Sequence, residues 1–260
     1  PVEKALQMAT IQPARCYGLY QLGMIAPGRQ ADFVILDNVT DLNVVDVYHC
    51  GKKIIKDEKM EVKPCPPHLK NTVHVSGFSE ERLKLKHSGE KAHVIQMLEK
   101  QIVTKHIIEE VPCAEKDGEK YFESNEEYQK IAVIERHKNT GKMGVGIVKG
   151  YGIRGGAIAS SVSHDSHNII VVGDNDHDMA LAVKEMIRTQ GGYTLVCNGE
   201  IYGTLPLPVM GLMSDAGYES VNEALARMIP KAHEMGVKDG FDPFITLSFM
   251  ALPVIPEIRI

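Results

Sequence analysis

Two apolar runs with a short polar insert between them constrain this chain more than any other feature. Gly156 to Gly173 reads GAIASSVSHDSHNIIVVG. The first run, Gly156 to Val162, is small and apolar, and the second, Ile169 to Val172, is Ile-Ile-Val-Val. Short runs of this kind bounded by glycine predict buried strands. Ser163, His164, Asp165, Ser166, His167 and Asn168 lie between them. Polar groups at the junction of two buried strands must find hydrogen-bond partners, so the insert is either a solvated turn or a working site. As a turn, Asp165 and Asn168 bond their own backbone. As a site, His164, Asp165 and His167 place two imidazoles and a carboxylate within four residues, able to move protons or fix a tautomer near neutral pH. Pattern alone leaves both readings open, with the turn ahead, because an H-x-x-H in a loop is a weak metal signal.

The segments around the insert predict an α+β chain. Asp174, Asp176 and Asp178 mimic the start of a calcium loop, but Met179 stands where its glycine belongs. A helix N-terminus fits better, with Asn175 as cap, Asp176 and Asp178 facing the positive end of the dipole, and Met179, Val183, Met186 and Ile187 as the buried stripe. His177 then lies on the surface of the first turn. Gly191-Gly192 ends that helix, and Asn198-Gly199 predicts a hairpin between Tyr193–Cys197 and Ile201–Leu205. A last helix is expected with a Ser220–Glu223 capping box, an apolar face through Val221, Leu225, Met228, Ile229 and Ala232, a kink at Pro230 and an end at Gly236. Thr246 and Ser248, polar in the apolar run from Phe244 to Pro256, are expected to bond backbone.

Upstream, strands are expected at Val73–Val75, Ala92–Leu98, Ile102–Val111 and Ile131–Glu135, a short helix at Ser79–Lys86, and a solvated excursion at Glu115–Glu127. The glycines from Gly141 to Gly156 lack a Walker or dinucleotide pattern and read as turns and close strand approaches. Pro64, Pro66 and Pro67 mark a linker in Glu61–Asn71, which places a boundary between residues 1–63 and 64–260. Before it, Pro27-Gly28 is a turn, Phe33–Leu36 a short strand, and Val44–His49 with Ile54-Ile55 a hairpin around Gly51-Lys52.

Several separated motifs resemble one family, in that family's order. SVSHDSHNIIVVG continued by GDNDHDMALAV, then LPLPVMGLMSD and DPFITLSFMALPVIPEIRI, are similar to the C-terminal region of bacterial adenine deaminases, of the amidohydrolase superfamily. Gly23-x-Ile25-x-Pro27-Gly28-x-x-Ala31-Asp32 looks like the stretch that amidohydrolases carry just after their barrel. The resemblance implies a partial β-sandwich following an absent (β/α)8 barrel, with unpaired strand edges, and then a mixed α/β C-terminal domain. It implies hydrolysis of adenine to hypoxanthine and ammonia in purine salvage, with manganese or iron in the full-length enzyme. No His-x-His occurs in the chain, and the H-x-E with P-C-x-x-C of cytidine-type deaminases is missing too, so no metal ligand is assignable. His164, Asp165 and His167 are then the candidate catalytic residues, and Ser163 and Asn168 the candidate substrate contacts. The competing expectation is a non-catalytic domain that dimerises or braces the barrel, and an independent small-molecule module ranks third.

Composition bounds the rest. With 29 basic and 34 acidic residues the net charge is −5, which argues against a nucleic-acid partner. Five widely spaced cysteines without a CxxC suit a reducing cytoplasm. No signal peptide or long apolar run points to a membrane. A homo-oligomer is expected. The start at Pro1 and the end at Ile260 in an apolar, strand-like run read as a piece of something longer, expected to be inactive alone.

Overall fold

The computed structural model describes residues 1–54 and 64–260. Ile55 of the expected hairpin, residue 63 at the expected boundary and the first part of the expected linker lie outside the described residues. The chain divides into two compact units, Pro1–Pro64 and Cys65–Ile260.

The first unit opens with two short helices, α1 (Val2–Ala9) and α2 (Ile11–Cys16). A three-stranded antiparallel sheet follows, in the order β1 (Phe33–Leu36), β2 (Val44–His49), β3 (Lys52–Ile54). The turn between β2 and β3 puts Cys50 and Gly51 at positive φ. Asp32 fixes this turn, because its carboxylate accepts the Cys50 N–H at 2.6 Å.

The second unit is built on an eight-stranded sheet. Its strands are β4 (Ala92–Met97), β5 (Thr104–Glu109), β8 (Tyr128–Ile134), β9 (Met143–Lys149), β10 (Gly156–Ser160), β11 (Ile169–Gly173), β12 (Gly192–Cys197) and β13 (Glu200–Pro206), while β6 (Cys113–Lys116) and β7 (Glu119–Phe122) form a separate hairpin. The order is β13-β12-β10-β11-β8-β9-β4-β5, and all its pairings are antiparallel except β4 with β9. The α+β class expected from the sequence is what the chain adopts, with one large mixed sheet and no closed barrel among the described residues.

Burial explains why β10 and β11 read as unbroken apolar runs. Side chains alternate across a strand, and here both faces are covered. Ala157, Ala159, Ile169 and Val171 join one core with Met179, Val183 and Met186 of helix α3 (Asp176–Thr189). Ile158, Ile170 and Val172 join the other with Met228 and Ala232 of helix α4 (Tyr218–Glu234) and with Phe244, Leu247 and Met250 of the C-terminal segment. Each isoleucine or valine buried this way contributes roughly 1.5–3 kcal/mol. Gly156 is required where β10 meets β12, since a Cβ there would lie 2.1 Å from the Val196 carbonyl oxygen.

Helix α3 begins as its sequence signals. The Asn175 side chain accepts the Asp178 N–H at 2.8 Å, and Gln190 closes the helix in the left-handed region. Elsewhere the structure corrects the expectation. Helix α4 starts at Tyr218 after Gly217, so Ser220 lies inside it and makes no capping box, and the helix continues through Pro230. The C-terminal run is not a strand. Asp242 accepts the N–H groups of Phe244 and Ile245, at 3.0 and 2.8 Å, and starts the short helix α5 (Ile245–Ser248). Within Glu115–Glu127 lies most of the β6–β7 hairpin, and Val73–Val75 is no strand, although His74 N–H donates to the Arg136 carbonyl. The expected helix at Ser79–Lys86 is one 3-10 turn, Glu80–Leu83.

Candidate functional site

The insert is the connection between β10 and β11, at the centre of the sheet. Two serines anchor its start. Ser160 Oγ accepts the Val162 N–H at 3.0 Å, and Ser161 Oγ accepts the Gly192 N–H at 2.7 Å while donating to the Gly211 carbonyl at 2.6 Å. The chain then turns at His164–Ser166 and re-enters the sheet at Ile169. The insert is therefore a tight turn whose tip is polar.

Each candidate residue has a definite place. Ser163 is fully buried, and its Oγ has no hydrogen-bond partner. The Ser163 N–H donates to His167 Nδ1 at 3.2 Å, and the His167 N–H donates back to the Ser163 carbonyl at 2.5 Å. His164 N–H donates to the Ser248 carbonyl at 2.7 Å, which ties the insert to α5. Its ring lies against Phe249, centroids 5.1 Å apart, and edge-on to the His167 ring at 5.3 Å. Asp165 and Ser166 are exposed at the tip. His167 takes a left-handed φ of 51°, which a non-glycine residue holds only where neighbours enforce it. Asn168 Oδ1 accepts the Arg136 N–H at 3.4 Å. The fold thus brings the two imidazoles together, leaves Asp165 in solvent, uses the main chain of Ser163 to hold His167, and uses the Asn168 side chain to hold backbone.

The enforcing neighbours are Arg136 and His137, to which the sequence assigned no role. Arg136 is 1% exposed. It donates from Nε to the His167 carbonyl and from its two terminal nitrogens to the carbonyls of Thr72, at 3.3 Å, and Met210, at 3.0 Å. Burial pushes this guanidinium down to about 10. His137 Nε2 sits 2.6 Å from the Ser166 carbonyl and donates to it. No single-sequence signal marks these two residues, because their partners are main-chain carbonyls up to 74 positions away. Burial first, and then the His164 and Arg136 charges, hold His167 below the ordinary imidazole range, against a smaller upward pull from Asp165.

A hard cation such as manganese or iron needs oxygen and imidazole donors converging on one point. Among the described residues, Asp32, His49 and Cys50 are a group of three whose ligand atoms lie within 4.8 Å of one another. That trio is exposed, belongs to the first unit, and includes a thiol, which favours softer ions. The insert makes no such group, and His167 Nδ1 is already engaged. The residues of the insert therefore do not fit that metal. Thr246, the other polar residue of the C-terminal run, lines an apolar cavity of about 180 Å³ with Met97, Phe241 and Phe249.

A family model described as adenine deaminase C-terminal domain matches residues 101–260. The chain belongs to this family. A second model, described as amidohydrolase family, matches residues 1–73. Adenine deaminase from Desulfitobacterium hafniense is 51% identical over 260 residues, covering 100% of this chain and 45% of the relative. Those from Clostridium acetobutylicum and Nitratidesulfovibrio vulgaris are 43% and 42% identical, covering 98% of this chain and again 45% of each relative. The chain thus spans about half the length of the relatives it matches. The insert, every strand of the sheet that carries it except β4, and the C-terminal segment that touches it lie within the stretch matched as the adenine deaminase C-terminal domain.

Proposed function

We propose that this chain forms the C-terminal part of an adenine deaminase, which hydrolyses adenine to hypoxanthine and ammonia. The observation that carries this reading is 51% identity along all 260 residues to a protein of that name. In the reaction, water adds at C6 of the purine, the C6–N6 bond breaks, and the amine leaves as ammonia after taking a proton. Such chemistry needs a group that orders the water and a group that moves protons. In the proposed arrangement the insert reaches the catalytic centre. Asp165 or the His164 imidazole orders water or substrate there, His167 supports them, and Ser163 and Asn168 set the shape of the turn. The metal, manganese or iron in the family resembled, belongs to residues outside the insert. Adenine is the small-molecule substrate, the setting is purine salvage in the cytoplasm, and the assembly is a homo-oligomer. Among the described residues no helix is long and apolar enough to cross a membrane.

The test is ammonia release by the full-length enzyme carrying His164→Ala or Asp165→Asn. Loss of about 10²–10⁴-fold in kcat, with thermal stability unchanged, supports direct participation. Unchanged kinetics in both variants overturns it. A second reading has its own observation. The Asn168 side chain holds main chain, the Ser163 main chain holds the His167 ring, and the insert gathers no metal group among the described residues, which suits a bracing domain without chemistry. On either reading this chain alone releases no ammonia from adenine, even with manganese added.

A further inference from the structure

We infer that His167 works as a neutral imidazole locked in one tautomer, with Nδ1 bare and Nε2 protonated, and that Arg136 is the positioning residue that keeps it so. The first argument is a hydrogen bond. The Ser163 N–H points at His167 Nδ1 from 3.2 Å, and a main-chain N–H can only donate. Nδ1 must therefore present its lone pair, and in a neutral ring the proton then resides on Nε2. The reciprocal bond from the His167 N–H to the Ser163 carbonyl closes this five-residue turn and holds the His167 main chain beside the Ser163 N–H.

The second argument is charge. His167 is faced by His164, His137, Arg136 and Asp165. Three of these carry or can acquire positive charge, and the one carboxylate is at the exposed tip. The Arg136 guanidinium is the permanent member. It is buried, and its bonds to Thr72, His167 and Met210 all run to carbonyl oxygens, so no carboxylate among these partners neutralises it. A second proton placed on His167 would sit beside an already buried cation, which is costly.

The third argument is steric. A Cβ at Gly211 would lie 2.8 Å from the guanidinium carbon, and Gly211 also has φ of 73°. Ser161 holds the Gly211 carbonyl. One serine thus fixes the wall against which the arginine stacks, and the arginine holds the His167 carbonyl. Seat and occupant are built together.

The consequence rests on the deaminase reading. A neutral imidazole with Nε2 protonated is a hydrogen-bond donor and not a base. It suits a ligand that offers a lone pair, such as a ring nitrogen of a planar heterocycle, and it leaves proton movement to His164 or Asp165.

The lock itself is tested without substrate, in the 260-residue chain. Long-range ¹H–¹⁵N spectra of the histidine side chains are recorded across pH, with His167→Gln assigning the signal. The expected result is a single Nε2–H tautomer at neutral pH and a titration midpoint below the ordinary value of about 6.5. An Nδ1–H tautomer, or a ring protonated at neutral pH, overturns the inference. Arg136→Gln is expected to raise the midpoint and mix the tautomers, while Arg136→Lys, which keeps the charge, holds the midpoint low. A folded Arg136→Gln chain with an unchanged His167 signal removes Arg136 from its role. If the Gln variant does not fold, a folded Lys variant with the midpoint raised overturns that role, and a low midpoint supports it. Because no activity is measured, a failed lock and a failed deaminase reading are separate outcomes.

Discussion

The sheet of the first unit and the centre of the large sheet use similar residues to different ends. In β10 and β11 the apolar side chains are fully buried, because α3 covers one face and α4 with the C-terminal segment covers the other. In β1–β3, Val34, Ile35, Val44, Val45, Val47 and Ile54 remain between 37% and 59% exposed. Valine and isoleucine state only that a strand fits and that burial would be favourable. Whether burial follows depends on what the chain supplies as cover. The polar insert is anchored for the same reason. Its ends emerge from fully buried strands, its His167 carbonyl accepts from the buried Arg136, and its Ser166 carbonyl accepts from His137.

The sharpest way to break this comparison is to truncate one side chain in each sheet. Ile170→Ala removes a fully buried side chain that touches the α4 core, and should cost about 2–5 kcal/mol, read as a lower midpoint in urea. Val45→Ala, at a residue 59% exposed, should stay within about 0.5 kcal/mol of the parent. Equal costs would mean that cover does not distinguish the two sheets. Gly211→Ala is expected to be severe as well, because a methyl group has no room beside Arg136. It should also disturb the His167 signal, which Ile170→Ala should leave in place if the folded fraction is compared.

Those effects show why the sequence was legible in some places and opaque in others. The strands β10 and β11, the α3 cap at Asn175 and the Asn198-Gly199 hairpin carry local signals, so pattern reading found them. The C-terminal run misled because apolarity does not specify period. Asp242, whose carboxylate takes the Phe244 and Ile245 N–H groups, decided for a helix where composition suggested a strand. Ser220 and Glu223 have the right spacing for a capping box, but the helix had already begun at Tyr218. Within the candidate site, the residue types of the insert were legible and its support was not. Arg136 reaches Thr72, His167 and Met210, three segments scattered along the chain, and nothing local announces such a meeting.

A smaller expected effect sharpens the comparison within the covered unit. Asn175→Ala deletes the cap on α3, whose side chain accepts the Asp178 N–H. It should cost about 0.5–2 kcal/mol, less than Ile170→Ala, because the packed face of the helix is untouched. A loss as large as that of the core variant would mean that α3 covers the sheet only when its first turn is pinned.

The smallest effect lies in the loop after β8, just ahead of Arg136 and His137 in space and sequence. Glu135 accepts N–H bonds from His137 at 2.5 Å, Lys138 at 2.7 Å and Thr140 at 3.0 Å, together with the Thr140 hydroxyl. Burial alone would raise this carboxyl, but those donors outweigh it and carry it from 4.5 down to about 2. A depressed carboxylate stabilises the fold at pH above its unfolded value and loses that contribution as pH falls through its folded value. Stability should therefore decline between pH 4.5 and about 2 in the parent chain, and Glu135→Gln should flatten that part of the profile. The same substitution should leave stability near pH 7 only modestly lower, because an amide oxygen can still accept some of the four bonds. Urea midpoints taken at several pH values decide it. An unchanged acid profile would mean that the loop presenting Arg136 and His137 to the insert is held by its packing and not by this carboxylate.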